Sequence, residues 1–180
     1  MGNLVSQNSV GDFGVLVSSD GNTMLTGNVT SGNVGTGCFA RPGGFFFHGE
    51  VVANGNAAVG NSLIGFMVDR FPAAPRSGQM LTKNVVAGNL GPGIFVVGNG
   101  NAAPLTLTQN NIYGNDSAGA NCGVFNETGG NITVANNFWG AVTGPGGNPA
   151  DDVCDGGGAT TISTPFAAAP FAIPNGLAGK

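Results

Sequence analysis

Charge is the scarcest property of this chain: only 8% of its 180 residues are Asp, Glu, Lys or Arg, about a third of the share usual in a globular domain. Five Lys and Arg against nine Asp and Glu leave no basic stripe, which excludes a nucleic-acid-binding surface. No run of about 18 apolar residues occurs, so no membrane-spanning helix is expected. Leucine appears nine times, too rarely for a leucine-rich repeat. Helical repeats are excluded as well, because Gly interrupts every stretch before a 3.6-residue periodicity develops. Met1-Gly2-Asn3 has neither the basic start nor the apolar core of a signal peptide. The chain is therefore expected either to stay inside the cell or to be an exported protein read without its signal segment. The length suits one domain.

Gly, Pro and Asn are abundant, at 34, 10 and 22 residues. Such a Gly and Pro content borders on the disordered range, but a net charge of only −4 and 41% hydrophobic residues argue for a packed fold. The Asn and Gly recur in a pattern: Asn, four residues, Asn, a short gap, then Gly and three mostly apolar residues. Copies read Asn3…Asn8…Gly14, Asn28…Asn33…Gly37, Asn56…Asn61…Gly65, Asn84…Asn89…Gly93 and Asn110…Asn115…Gly123. A sixth starts at Asn137, so the leading Asn are 25, 28, 28, 26 and 27 residues apart. Short β-favouring runs between the Asn and Gly fit coils of three short strands, stacked in parallel. The expected fold is all-β: a single-stranded parallel β-helix of about six coils of 25–28 residues. Asn at the corners suits the left-handed backbone region, and its side-chain amides would hydrogen-bond from coil to coil. Two such ladders are expected, one led by Asn3 and one by Asn8.

The Asn-x-(Val/Ile)-x-x-Asn…Gly-(Ile/Val)-x-Val pattern resembles the right-handed parallel β-helix repeat of pectate-lyase-like proteins. It is also similar to the repeats of periplasmic β-helix proteins involved in copper-site maturation. Asn136-Asn-Phe-Trp-Gly140, with Thr143-Gly-Pro-Gly-Gly147 and Asp151-Asp-Val-Cys-Asp155, resembles the C-terminal closing unit of secreted bacterial β-helix proteins. The resemblance implies coils over 1–140 and a closing unit with an apolar tail over 141–180 in the same domain; entry into the repeat at Asn3 without a cap leads to the expectation that the coils are truncated at the N-terminus. It also implies an extracellular, cell-surface or periplasmic location. Such closing units suggest a disulfide between Cys122 and Cys154, which would pin the cap to the last full coil in an oxidising compartment. Cys38 is expected to be a buried thiol.

Alternation along the strand after each Gly points Val15, Cys38, Phe66, Ile94 and Val124 inward, with Val17, Ala40, Val68, Val96 and Asn126. The outward column is then Leu16, Phe39, Met67, Phe95 and Phe125, an apolar stripe. Three explanations are open: the tail from Thr164 or the segment from Pro42 to Phe47 covers it, or copies associate through it; it stacks on carbohydrate or a partner; or the inside and outside assignments are exchanged. Uncovered solenoid ends would in addition favour end-to-end association.

Lyases of the resembling family use acidic Ca²⁺ ligands and a basic residue that abstracts a proton; hydrolases on this scaffold use clustered carboxylates. The charges that gather here are Asp20, Arg41, Asp69 and Arg70, just past one strand on three coils, with His48 and Glu50 near by. In a catalytic reading Arg41 or Arg70 is base or anion clamp, and Asp20, Asp69 and Glu50 are acid/base or metal ligands. The bland alternative is solvated corner charges. Asp151, Asp152 and Asp155 form an oxygen-rich group in the cap that could take Ca²⁺; no other cofactor is expected. Three functions follow: a non-catalytic scaffold or carbohydrate-interaction module, a polysaccharide lyase or glycoside hydrolase on coils one to three, or a structural solenoid assembling end to end.

Overall fold

A computed structural model describes residues 2–10, 13–35, 43–70, 78–98 and 104–173. The first coil holds β1 (Leu4–Ser6), β2 (Ser9–Val10) and β3 (Phe13–Thr26); the second holds β4 (Val29–Ser31), β5 (Val34–Gly35) and β6 (Gly43–Asn54). The third has β7 (Ala57–Val59), β8 (Ile64–Arg70) and β9 (Gln79–Thr82). The fourth has β10 (Val85–Ala87), β11 (Ile94–Gly98) and β12 (Leu105–Thr108), and the fifth β13 (Asn111–Tyr113), β14 (Cys122–Glu127) and β15 (Asn131–Thr133). A shortened sixth coil carries β16 (Asp152–Asp155) and β17 (Thr160–Ile162).

All pairings are parallel, each strand lying on its counterpart one coil away. The first face is the sheet β1-β4-β7-β10-β13, and the second runs β3-β6-β8-β11-β14-β16. The later parts of β3 and β6 continue into the third face with β9 and β12. This is the expected parallel β-solenoid, with five full coils and a partial sixth. Phe45, Phe47, Phe66, Val68, Leu81, Val86, Ile94, Val96, Ile112 and Val124 form one continuous core with no solvent exposure. Trp139, equally buried, packs into it at the C-terminal end.

Both Asn ladders form. The backbone N–H and the Nδ2 of each ladder Asn donate to Oδ1 of the next: Asn56 Nδ2 to Asn84 at 3.2 Å, and Asn61 Nδ2 to Asn89 at 2.9 Å. The second amide hydrogen reaches back to a carbonyl one coil earlier, as from Asn84 to Ala53 at 3.0 Å. The backbone explanation needs correcting. The left-handed residue is the one before each ladder Asn except Asn3: Gln7, Gly27, Gly32, Gly55, Gly60, Lys83, Gly88, Gln109, Gly114 and Asn136. Asn is therefore selected at the ladder positions for its amide, which satisfies buried corner groups, and Gly mostly takes the strained conformation.

The register of the second coil also differs from the expected one. β6 places Gly44-Phe45-Phe46-Phe47 against Gly65-Phe66-Met67-Val68, so Gly37-Cys38-Phe39-Ala40 is not the rung. A gap of three residues after the second Asn suits coils three and four, and Gly37 matches that gap. The stacking of the glycines decides otherwise. A Cβ on Gly65 would lie 2.5 Å from the Gly93 carbonyl oxygen, and one on Gly44 would lie 2.7 Å from that of Gly65. The inward columns become Val15, Phe45, Phe66, Ile94, Val124 and Val17, Phe47, Val68, Val96, Asn126. Cys38, Phe39 and Arg41 lie outside the described residues. Asn126, the polar member of an apolar column, is fully buried and satisfied: Oδ1 accepts from Thr128 Oγ1 at 2.8 Å, and Nδ2 donates to the Gly130 carbonyl.

The C-terminal tail covers the first face rather than the stripe on the second. Phe171 N–H donates to Asn111 Oδ1 at 2.8 Å and Asn111 Nδ2 returns a bond to the Phe171 carbonyl at 2.9 Å. Phe171 and Ile173 then pack on Ala57, Val85 and Ala87. The outer side of that face carries Val29, Ala57, Val59, Val85 and Ala87, and the tail covers its middle coils.

Candidate functional site

The outer surface of the second face carries two adjacent columns. Four residues of the expected stripe are in register, with Phe46 in place of Phe39: Leu16, Phe46, Met67, Phe95 and Phe125. They point out of the solenoid but are not uniformly solvated. Leu16 is 63% exposed, whereas Phe95 is 5% exposed and packs with Met67, Phe125, Ile64 and Val97 as a second, outer apolar cluster. The Phe95 and Phe125 rings are 5.3 Å apart, and Phe46 lies 5.2 Å from Phe13.

Two residues further along each strand the outward column reads Ser18, His48, Asp69, Val97 and Glu127. Here β6 and β8 set His48 directly opposite Asp69, with Nδ1 2.9 Å from Asp69 Oδ2. The pair is partly shielded, His48 at 30% and Asp69 at 15% exposure. Gln79, buried at the start of the third face, donates its Nε2 to the Asp69 backbone carbonyl at 2.9 Å, which fixes the strand end carrying the carboxylate. Sequence reasoning named both residues but not their contact. With the second coil counted from Gly44, both fall four residues after the repeat Gly, and the pairing is legible.

Arg70 is 7% exposed, and burial lowers its pKa from the usual arginine value. Glu50 is half-buried, past the corner that leads to the third face. Asp20 belongs to the irregular stretch where β3 and β6 lose register, and its side chain is outside the described residues, as is all of Arg41.

In the cap, Asp151, Asp152 and Asp155 face different partners. Asp152 accepts from the Val153 N–H, and Asp155 from Thr161 Oγ1 at 2.6 Å. Asp151 is fully buried at the end of the second ladder, where an Asn would otherwise stand; Asn115 Nδ2 donates to its Oδ2 at 2.7 Å, and the Asn115 N–H also donates to the carboxylate. Among the described residues no three His, Cys, Asp or Glu side chains are grouped to hold a metal ion. The sequence signal for Asp151 was hidden, because it follows Asn115 by 36 residues and the closing turn breaks the period. Cys122 and Cys154 are joined by a disulfide between β14 and β16, with Cα atoms 5.6 Å apart.

Burial raises the Asp151 pKa from 3.8 to about 6, against the lowering effect of the Asn115 hydrogen bonds; the charge of Asp116 adds to the rise. The folded state then holds this proton more tightly than the unfolded chain, so this group's contribution to stability is greatest below about pH 4 and falls as pH rises to about 6. Asp151→Asn is expected to stabilise the protein at pH 7 by about 2–3 kcal/mol, and to remove that slope. Urea titrations of both proteins at pH 4 and 7 measure it. An equal loss of stability with pH in both proteins would contradict the assignment.

A cleft of about 550 Å³ lies between the tail and the last coils, lined by Val85, Tyr113, Phe138, Pro149, Pro170 and Phe171 among others. None of the expected site residues borders it. No helix among the described residues is long and apolar enough to cross a membrane. Compared with known proteins, the chain matches the family model described as right handed beta helix region over residues 2–139. No curated protein and no solved structure matches it.

Proposed function

Because the chain belongs to the right-handed β-helix family, we propose that it is a scaffold contacting carbohydrate through the outer surface of its second face, without catalysis of its own. The observation that carries this is the pair of columns on that face: an apolar one from Leu16 to Phe125, and beside it one in which Ser18, His48, Asp69 and Glu127 are polar and Val97 is not. Sugar rings present apolar C–H faces and hydroxyl edges, and a flat sheet with both kinds of side chain at a 4.8 Å repeat complements such a polymer. The disulfide supports an oxidising location: extracellular, cell surface or periplasmic.

Cleavage of polysaccharide by a lyase or hydrolase is the alternative: it draws on the same His48, Asp69 and Glu50, with Arg41 or the buried Arg70 as base or anion clamp. End-to-end assembly is the third reading. Against a head-to-tail stack, the second ladder ends in a carboxylate, which has no amide hydrogens to donate onward.

Retention on insoluble polysaccharides tests the main proposal. The double variant Leu16→Ser with Met67→Ser, both on the outer column, is expected to lose at least fivefold of the bound fraction while keeping its Tm within a few degrees. Unchanged retention, or none by the parent protein on any polysaccharide, would overturn it.

A further inference from the structure

We propose that Ser18, His48 and Asp69 form a nucleophilic centre that hydrolyses carboxylic esters with a short apolar acyl group. This goes beyond the scaffold reading: the carbohydrate surface stays as it is, and a reaction that cuts no glycosidic bond is added in place of the absence of catalysis. The three residues share one outward column on three successive coils, in the order hydroxyl, imidazole, carboxylate. β3 sets Ser18 opposite His48, and β8 sets Asp69 opposite His48 from the other side. Neighbouring rungs are about 4.8 Å apart, which keeps each side chain within reach of the next. Asp69 Oδ2 lies 2.9 Å from Nδ1 of His48, and an ionised carboxylate can only accept. Nδ1 therefore carries the hydrogen of the neutral ring, and the lone pair sits on Nε2, away from Asp69. Ser18 stands on the coil on that side, exposed to solvent. Among the described residues the ring bonds only Asp69, and the bond from Ser18 Oγ to Nε2 is one that closes as substrate arrives. A neutral imidazole oriented by a carboxylate is what activates a serine hydroxyl.

In the reaction Ser18 Oγ attacks the ester carbonyl carbon, and its proton passes to His48 Nε2. The bond from that carbon to the alcohol oxygen breaks, the alcohol leaves with the proton from Nε2, and the acyl group stays on Oγ. Water then gives a proton to Nε2 and its oxygen to the acyl carbon; Oγ departs, recovers the proton, and the carboxylic acid is released. Ser18 and His48 are the catalytic residues. Asp69 acts through His48 as a positioning residue, and Gln79 holds the Asp69 backbone in turn. The neighbouring column defines the acyl group. Two residues earlier on the same strands, about 7 Å away, stand Leu16, 63% exposed, and Phe46, half-buried. A short apolar chain resting on them has its carbonyl at Ser18.

Labelling with a fluorophosphonate, located by peptide mass mapping, and hydrolysis of 4-nitrophenyl acetate and butyrate test this on the full chain. The parent is expected to take one label, on Ser18, and Ser18→Ala none. Ser18→Ala and His48→Ala are expected to lose at least tenfold in kcat/KM with Tm unchanged. Ser117→Ala, which changes an exposed serine of the fifth coil, should match the parent. Asp69→Ala should lower kcat/KM and also shift the ¹⁵N spectrum of the imidazole from the Nδ1–H form toward Nε2–H. No label, a label on another serine, or hydrolysis indifferent to Ser18→Ala would overturn the centre, while retention on polysaccharide would still uphold the carbohydrate surface. Labelling and hydrolysis by a chain that no polysaccharide retains would uphold the centre and remove that surface. An Nε2–H form in the parent would overturn the centre by itself.

Discussion

Replacing Asn89 by alanine is expected to lower the stability of the fold by about 4 kcal/mol, from the usual cost of buried groups left without partners. Asn89 is 1% exposed and works in both directions. Its Oδ1 accepts from Asn61 N–H at 3.0 Å and Asn61 Nδ2 at 2.9 Å, and its Nδ2 donates to Asn115 Oδ1 at 2.8 Å and the Ala58 carbonyl at 3.0 Å. Alanine leaves the Asn61 N–H and one Asn61 amide hydrogen buried without partners, and the Ala58 carbonyl keeps only its bond within the sheet. Asn89→Asp should be at least as costly, since a carboxylate oxygen would replace the donor facing Ala58 and Asn115. Asn8→Ala is the control: Asn8 stands at the exposed start of the same ladder and donates only to Asn33, so it should cost about 1 kcal/mol or less. Urea unfolding of the three variants measures the contrast. Equal effects at Asn8 and Asn89 would show that the ladder does not stabilise through its buried amides.

Reducing the Cys122–Cys154 bond is expected to cost about 3–4 kcal/mol, since it closes a loop of 32 residues in the unfolded chain. The cost should concentrate in the closing unit. β16 is the last strand of the second face and pairs only with β14, across a register shift between Cys122 and Val124. Asp151, immediately before β16, closes the second ladder, so loosening this strand also loosens the partner of Asn115. Thermal unfolding with and without reductant, and of Cys154→Ser, should show a fall in Tm, with hydrogen exchange rising first in β16 and β17. Thiol titration of the denatured, unreduced chain should find one free cysteine of the three. An unchanged Tm on reduction would mean that the cap is held without the bond.

The ladders were legible because an amide column repeats its residue type at every coil, and Asn at intervals of 25–28 residues has no simpler cause. The disulfide was legible through the resemblance of the closing unit. The second-coil register was not: Gly37-Cys-Phe-Ala and Gly44-Phe-Phe-Phe both satisfy a Gly-then-apolar pattern. Only the need to stack a glycine against Gly65, with no room for a Cβ, separates them. That one displacement hid the His48–Asp69 contact. The tail's destination was not legible, because its composition fits any apolar surface; it depends on Asn111, which offers both a donor and an acceptor to the backbone of Phe171.

The sequence alone determined the coil length, the parallel stacking and the positions of both ladders, because each coil meets the same local requirement: a buried corner amide, an apolar inward pair and a Gly. Tertiary structure decided what depends on contacts across coils of unequal length. It placed His48 beside Asp69 rather than in a separate insert, and sent the tail to the first face. It also put a carboxylate, Asp151, at the last rung of an amide ladder. Periodicity specifies what repeats. Where insertions break the period, only the spacing of stacked backbones settles which side chains meet.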